Sequence, residues 1–303
     1  MNAQSSASAA GTIRIGGELA ASRLGFGAMR ITGKEIWGDP PDREQAIAAL
    51  RRAVELGVSF IDTADSYGPA VSEDLIAQAL YPYPGDLVIA TKGGLVRPGP
   101  HRWERDGRPQ HLREACEDSL RRLRLEQIPL YQLHKPDPKV PFAESVGALA
   151  DLKAEGKIRH IGISTVTEAQ LREAQRVTPI ASVQNRYNTA DRSSQALLDL
   201  CAVQGLAFIP WAPLQQTEAN PAVAAVAARH CVTQHQVALA WLLATSPVML
   251  PIPGTGSPGH VQENIAAASL ELTAGEVATI TAGVLPHPGA SIPPDLRRGA
   301  EGE

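Results

Sequence analysis

The chain is poor in cysteine. Its three thiols, Cys116, Cys201 and Cys231, stand too far apart for a metal knuckle. A sparse, odd count in a chain of 303 residues excludes a disulfide framework and reads as reduced thiols, the state a cytoplasmic protein keeps. No His pair or other ligand spacing points to a metal. Long hydrophobic runs are missing as well: nothing approaches the roughly 20 apolar residues that span a bilayer, and the Ala-rich stretch Ala222 to Ala228 reads as a short helix face. A basic excess is also lacking. The formal net charge of -4 gives no field for nucleic acid, and the run Arg121-Arg122-Leu123-Arg124 reads as a solvated helix face or its last turn. Residues 1–11 have neither a basic leader nor an apolar core, so they read as a flexible tail and not a secretory signal. The Pro-rich stretch from about 285 to 303 reads as a second tail. Linkers, low-complexity inserts and short repeats are absent, which fits one domain over residues 1–303, near the size of an α/β barrel. Such a chain is expected to be a monomer or a small homo-oligomer.

What is there is an alternation of strands and helices. Thr12-Ile13-Arg14-Ile15, Gly16-Gly17 and Glu18-Leu19-Ala20 form a short hairpin around a two-glycine turn. Eight strands are expected after it, near Leu24–Ala28, Ser59–Asp62, Leu87–Thr91, Leu130–Leu133, His160–Ile163, Ser182–Asn185, Ala207–Pro210 and Met249–Pro251. Helical spacing of apolar residues separates them over Arg43–Leu56, Leu112–Leu123, Phe142–Glu155, Glu168–Gln175 and Ser194–Val203, with Gly57, Gly156 and Gly205 as stops. Eight such units imply a parallel sheet closed into a (β/α)8 TIM barrel. The alternative is an open doubly wound sheet, and the absence of a Gly-x-Gly-x-x-Gly turn after the first strand counts against it.

Three of the apolar runs end in ionisable groups. Phe60-Ile61 leads to Asp62 and, five residues on, Tyr67; Val88 to Thr91 leads to Lys92; Leu130 to Leu133 leads to His134. In a parallel barrel these strand ends form the active-site rim. A phenol with an ordinary pKa of about 10 is a poor proton donor or acceptor near neutrality, and an adjacent ammonium corrects that. Lys92 would favour the phenolate of Tyr67, Asp62 would hold Lys92 charged, and His134 would face the oxygen being protonated. Singly, each has an ordinary reading as a cap, a loop aromatic, a solvated strand end or a satisfied loop histidine. The four together, in this order at strand ends, point to catalysis.

With these four residues the chain resembles the aldo-keto reductases, whose Asp, Tyr, Lys and His tetrad they match one for one. Phe60-Ile61-Asp62-Thr63-Ala64, Ala90-Thr91-Lys92, Leu133-His134, Gly162-Ile163-Ser164, Val183-Gln184-Asn185 and Ile252-Pro253-Gly254 also stand in family order. The resemblance covers about residues 23–272. It implies that the hairpin closes the barrel bottom, and that an NADP or NAD cofactor lies across the strand ends. Hydride would pass from the reduced cofactor to an aldehyde or ketone while Tyr67 donates a proton. By the same resemblance Ser164 and Gln184 hold the nicotinamide carboxamide and Trp211 stacks on its ring, followed by Ala212, Pro213 and Leu214. Ser164 could instead cap the helix near Thr167, Gln184 satisfy barrel polar groups, and Trp211 belong to the core. The remaining cofactor contacts implied are Ile252, Gly254, Thr255, Gly256, His260, Glu263 and Asn264. Many members carry Lys and Arg where Gly254 and His260 stand, so recognition of the 2′-phosphate of NADPH is weaker here. Thr165 replaces a frequent Asn beside the Ser. Trp37 in the first loop and Trp103 in the loop over residues 93–109 are the aromatic candidates for the wall of the substrate pocket, or else cover apolar surface. A small-molecule aldehyde, aromatic, sugar-like or of the pyridoxal type, fits. The family also includes channel-associated subunits that bind cofactor with little turnover. A different class, a barrel lyase with Lys92 as Schiff-base nucleophile, needs Lys92 unpaired.

Overall fold

The computed structural model describes residues 6–283. Gly16 and Gly17 both take left-handed backbone, φ 60° and 78°, and this folds β1 (Thr12–Ile15) back on β2 (Leu19–Ser22) as an antiparallel pair. Then come β3 (Phe26–Gly27), β4 (Phe60–Asp62), β5 (Val88–Gly93), the antiparallel pair β6 (Leu95–Gly99) and β7 (Arg102–Arg105), and β8 (Ile128–Leu133), β9 (Ile158–Ser164), β10 (Ser182–Arg186) and β11 (Ala207–Trp211). Apart from β6 and β7, the strands from β3 onward form one parallel sheet in the order β3-β4-β5-β8-β9-β10-β11. The two ends meet through residues 248–253. On one side Phe208 N–H donates to Val248 O and Leu250 N–H to Phe208 O, both at 2.9 Å; on the other, Gly25 N–H donates to Pro251 O at 2.9 Å and Gly27 N–H to Pro253 O at 3.2 Å. Pro251 and Pro253 have no N–H to return, so the eighth strand is bonded without a regular ladder. The sheet thus closes into the expected barrel.

Period two along each strand separates two cores. Phe60, Val88, Ala90, Leu130, Ala207 and Ile209 face the interior together with Ile13, Ile15 and Ala21 of the hairpin, which plugs one end. Their strand neighbours Ile61, Ile89, Tyr131, Ile161, Val183 and Phe208 face the helices. A side chain at Gly16 would run into the His160 ring, near the start of β9, so the plug sits at the N-terminal, bottom face.

The helices are α1 (Arg43–Glu55), α2 (Val71–Leu80), α3 (Pro109–Leu123), α4 (Phe142–Ala154), α5 (Glu168–Val177), α6 (Gln195–Gln204), α7 (Pro221–His230), α8 (Gln234–Thr245), α9 (Pro258–Ala266) and α10 (Ala274–Ala282). Asp42 caps α1 through Gln45 N–H. A Thr167–Gln170 capping box opens α5, so that cap does not use Ser164. Helices α2, α8 and α10 were not among those expected. In α2 the buried face includes the polar Ser72 and Glu73 beside Leu75 and Ile76, with Asp74 and Gln78 exposed, so its stripe does not read as apolar; in α8 Val237 to Leu242 are all buried, and a helix covered on every side shows no amphipathic stripe. The β6–β7 hairpin was expected only as loop, since its strands are short and Pro98, Gly99 and Pro100 interrupt them.

Two surface expectations change. Within the expected N-terminal tail, residues 7–10 form a 3-10 turn, with Ala7 buried and its N–H on Leu56 O at 2.8 Å. Arg122 is not on a freely solvated face. Its Nε donates to Glu73 at 2.6 Å, and Glu73 is fully buried and also accepts from Thr91 Oγ1 at 2.5 Å. The Pro-rich tail and residues 1–5 lie outside the described residues. Cys116 and Cys201 are buried, Cys231 is exposed, and all three are free. Among the described residues no helix is long and apolar enough to cross a membrane.

Candidate active site

The interior phase of each strand carries past the last apolar layer and delivers polar side chains at the C-terminal rim. Asp62 follows Phe60, Lys92 follows Ala90, Gln132 and His134 follow Leu130, Ser164 follows Gly162, Gln184 follows Ser182, and Trp211 follows Ile209. Gly162 has a local reason. A Cβ there would stand 2.4 Å from Ser182 Oγ and 2.7 Å from Gln132 Cγ, so any side chain would break this polar layer.

Lys92 is fully buried. Its Nζ donates to Asp62 Oδ2 at 2.5 Å, to the Thr63 carbonyl at 2.8 Å and to Tyr67 Oη at 3.4 Å. The other Asp62 oxygen, Oδ1, accepts from Gln132 Nε2 at 3.0 Å and Gln184 Nε2 at 2.8 Å. His134 meets Tyr67 edge to face with ring centroids 5.7 Å apart. Its Nδ1 lies 3.4 Å from Ser66 Oγ, which leaves Nε2 for another partner. The structure therefore brings Asp62, Tyr67, Lys92 and His134 together. Gln132, Ser66 and the Thr63 carbonyl join them unannounced: Gln132 shares the interior phase with Lys92 and was legible by that signal alone.

Electrostatics refine the expected tuning. Burial opposes charge on Lys92, but Asp62 and Tyr67 outweigh it and hold the ammonium above its ordinary pKa. Burial also raises the Tyr67 phenol, and Lys92 works against that rise without cancelling it. The phenol is thus a protonated donor at neutral pH, not a lowered one. Burial, then Lys92 and Lys135, push His134 well below the usual histidine range, so its ring is neutral and carries one N–H.

Around this centre stand the remaining candidates. Ser164 Oγ lies 3.4 Å from Thr165 Oγ1. Thr165 and Ala212 both have left-handed backbone, φ 58° and 53°, turning the chain sharply after β9 and β11. Trp211 has a buried indole N–H without a partner, and its ring lies 5.5 Å from the Arg186 guanidinium. Pro213 is buried, with Leu214 partly so. In the next loop Ile252 is buried, and a Cβ on Gly254 would stand 2.5 Å from Gly27 O. Gly254 is thus glycine because two backbones touch there. Gly256 O accepts from Gln45 at 3.1 Å, and Thr255 Oγ1 accepts from Ser257 N–H at 3.1 Å and lies 3.4 Å from His260 Nδ1. No side chain caps α9. His260 is exposed, Glu263 half-buried and Asn264 buried. Arg30, an exposed cation absent from the expected set, lies alongside: its Cγ is 3.6 Å from where a Gly254 Cβ would be.

Trp37 pairs with Gly68, the residue after Tyr67, in a parallel bridge. Trp103 lies on β7. The ring centroids of Trp37 and Trp103 are 5.4 and 3.8 Å from the guanidinium of Arg97, so one cation ties the two expected wall residues together.

Residues 23–284 match the model of the Aldo/keto reductase family. The chain is 48 % identical over 270 residues to an uncharacterized oxidoreductase of Schizosaccharomyces pombe, covering 88 % of each protein. It is 40 % identical over 276 residues to pyridoxine 4-dehydrogenase of Escherichia coli, covering 87 % of this chain and 95 % of that one. An aldo-keto reductase from Klebsiella pneumoniae, solved in complex with NADPH, superimposes with a TM-score of 0.76 at 28 % identity over 89 % of this chain and 94 % of that one. The chain belongs to the aldo/keto reductase family and is an NAD(P)-dependent oxidoreductase.

Proposed function

We propose that this enzyme reduces a flat aromatic aldehyde, of the pyridoxal type, to its alcohol, with Tyr67 as the proton donor. The observation that carries this is the single ammonium of Lys92 touching both Asp62 and Tyr67 at the rim, with the neutral His134 ring against the phenol. The same contacts argue against Schiff-base chemistry, because a lysine paired with Asp62 and held above its ordinary pKa is a poor nucleophile. The substrate class follows the E. coli relative, whose name places its chemistry at the 4-position of pyridoxine.

The rim suits an extended dinucleotide. The indole N–H of Trp211 is buried and unpartnered, and the N-terminal amides of α9 have no side-chain cap. Ser164 would donate to the nicotinamide carboxamide, while Gln184, its Nε2 already on Asp62, would accept through its carbonyl oxygen. Trp211 would stack on the ring, and Thr255, Ser257 and the α9 amides would take the phosphate end. The reduced nicotinamide supplies the hydride. Tyr67 gives its proton to the oxygen that becomes the alcohol, and the Nε2–H of His134 orients that oxygen. Lys92 then stabilises the phenolate left behind until solvent returns a proton.

The experiment is to follow NADPH absorbance with pyridoxal and other aldehydes for the wild type and Tyr67→Phe. We expect turnover by the wild type, a loss of about a hundredfold or more in kcat for the variant, and an NADPH dissociation constant within about twofold, since Tyr67 contributes the acid and not the cofactor cleft. A variant that keeps its kcat would remove Tyr67 from that role.

A further inference from the structure

Arg97, on β6, is a cation 7 % exposed. Among the described residues no carboxylate lies within ion-pair distance of it. A buried charge of that kind persists only if its donors are satisfied, and here backbone carbonyls satisfy them. Nε donates to Arg102 O at 3.1 Å, Nη1 to Ile36 O at 2.9 Å, and Nη2 to Glu35 O at 3.2 Å and to Pro100 O. The flat face lies against the indoles of Trp103 and Trp37. Burial draws its pKa down to about 10, which still leaves it charged at neutral pH.

Two of those carbonyls belong to consecutive residues in left-handed backbone, Glu35 at φ 59° and Ile36 at φ 61°. A β-branched residue takes that conformation only where its surroundings enforce it. Arg97 supplies the enforcement by holding both carbonyls. A second tie, His101 Nδ1 to Glu35 Oε2 at 2.6 Å, joins the hairpin tip to the same loop. Immediately after Ile36 comes Trp37, and then Gly38, whose N–H donates to Gly68 O at 2.7 Å, one residue from Tyr67.

We infer that Arg97 is a positioning residue for substrate. It clamps the β6–β7 hairpin to the first strand-helix loop and sets Trp37 and Trp103 as one aromatic wall beside Tyr67, so that the enzyme selects flat aromatic aldehydes over short aliphatic ones. This rests on the proposed reduction at Tyr67.

The test is steady-state kinetics with NADPH on pyridine-4-carbaldehyde and propanal, for wild type, Arg97→Met and Arg97→Lys. In Arg97→Met the KM for the aromatic aldehyde should rise about tenfold or more with kcat within about threefold, while the KM for propanal and the NADPH dissociation constant each move by less than about threefold. Lysine restores charge without the planar fork, so Arg97→Lys should fall between. Should the methionine variant not fold, Trp37→Leu must show the same selective rise. Equal changes for both aldehydes, a change confined to kcat, or an unchanged KM for the aromatic aldehyde would overturn the inference while leaving the Tyr67 reading intact. A wild type that reduces neither aldehyde would overturn both.

Discussion

At the scale of single residues, the site turns on how a buried ammonium is kept charged. Removing Lys92 from water favours its neutral form; the Asp62 carboxylate at 2.5 Å reverses that preference. Asp62 can do so because Gln132 and Gln184 satisfy its second oxygen. In turn Lys92 restrains the rise that burial imposes on Tyr67. Replacing Lys92 by Met removes that restraint, so the phenol pKa must climb further. The sign follows: alcohol oxidation, which needs the phenolate, should move its acid limb to higher pH, and aldehyde reduction at pH 7 should fall by about a hundredfold through lost charge stabilisation. The pH–rate profiles of both directions check this, and a full rate with an unmoved profile would show that Lys92 does not tune Tyr67.

At the scale of elements, the loop from Ile252 to Ser257 and the start of α9 set cofactor preference. Guanidinium and ammonium groups make the strong contacts to a phosphate, and Gly254 and His260 provide neither. Hydroxyls of Thr255 and Ser257 and backbone amides offer neutral bonds worth about 0.5–1.5 kcal/mol each. NADPH should therefore bind roughly tenfold tighter than NADH, and the ratio of dissociation constants measures this directly. His260→Arg should increase the ratio, because the side chain is exposed at the helix start. Gly254→Lys should not, because its Cβ would meet Gly27 O at 2.5 Å. A ratio above about a thousandfold in the wild type would place a cation from another loop on the phosphate; Arg30 is the one beside Gly254, and Arg30→Ala would collapse it.

At the scale of the whole molecule, the outer core between sheet and helices hides groups that the unfolded chain would ionise. Burial pushes the thiols of Cys116 and Cys201 from 9.0 to about 12, and Tyr131 is raised as well. Between pH 9 and 12 these thiols bind fewer protons in the unfolded chain than in the folded one. The thiols' stabilising contribution is therefore complete below pH 9 and is lost as pH rises to 12, by up to about 1.4 kcal/mol per pH unit for each thiol. Melting temperatures should fall steadily above pH 9. In a Cys116→Ala, Cys201→Ala double variant the fall should be shallower, and parallel curves for the two proteins would show that these thiols do not contribute.

What the sequence by itself determined is what local periodicity encodes. Alternation of strands and amphipathic helices implied the barrel, and because apolar runs end in Asp62, Lys92 and His134, the reading of these groups as lying on the active-site rim needed no coordinates. Tyr67 was placed by its motif. Tertiary structure alone decided what depends on surroundings from distant parts of the chain. Over Val237 to Leu242 α8 is buried on every side and so had no stripe to read, and the buried face of α2 takes in the polar Ser72 and Glu73, which masks its stripe. The second oxygen of Asp62 is held by side chains 70 and 122 residues away in sequence. The net rise of the Tyr67 pKa comes from burial, which sums over the whole barrel and outweighs the one neighbour visible in the motif. Arg97 looked like any loop arginine until two indoles and four carbonyls closed around it. A charge reports its function through what surrounds it, and those surroundings exist only once the chain is folded.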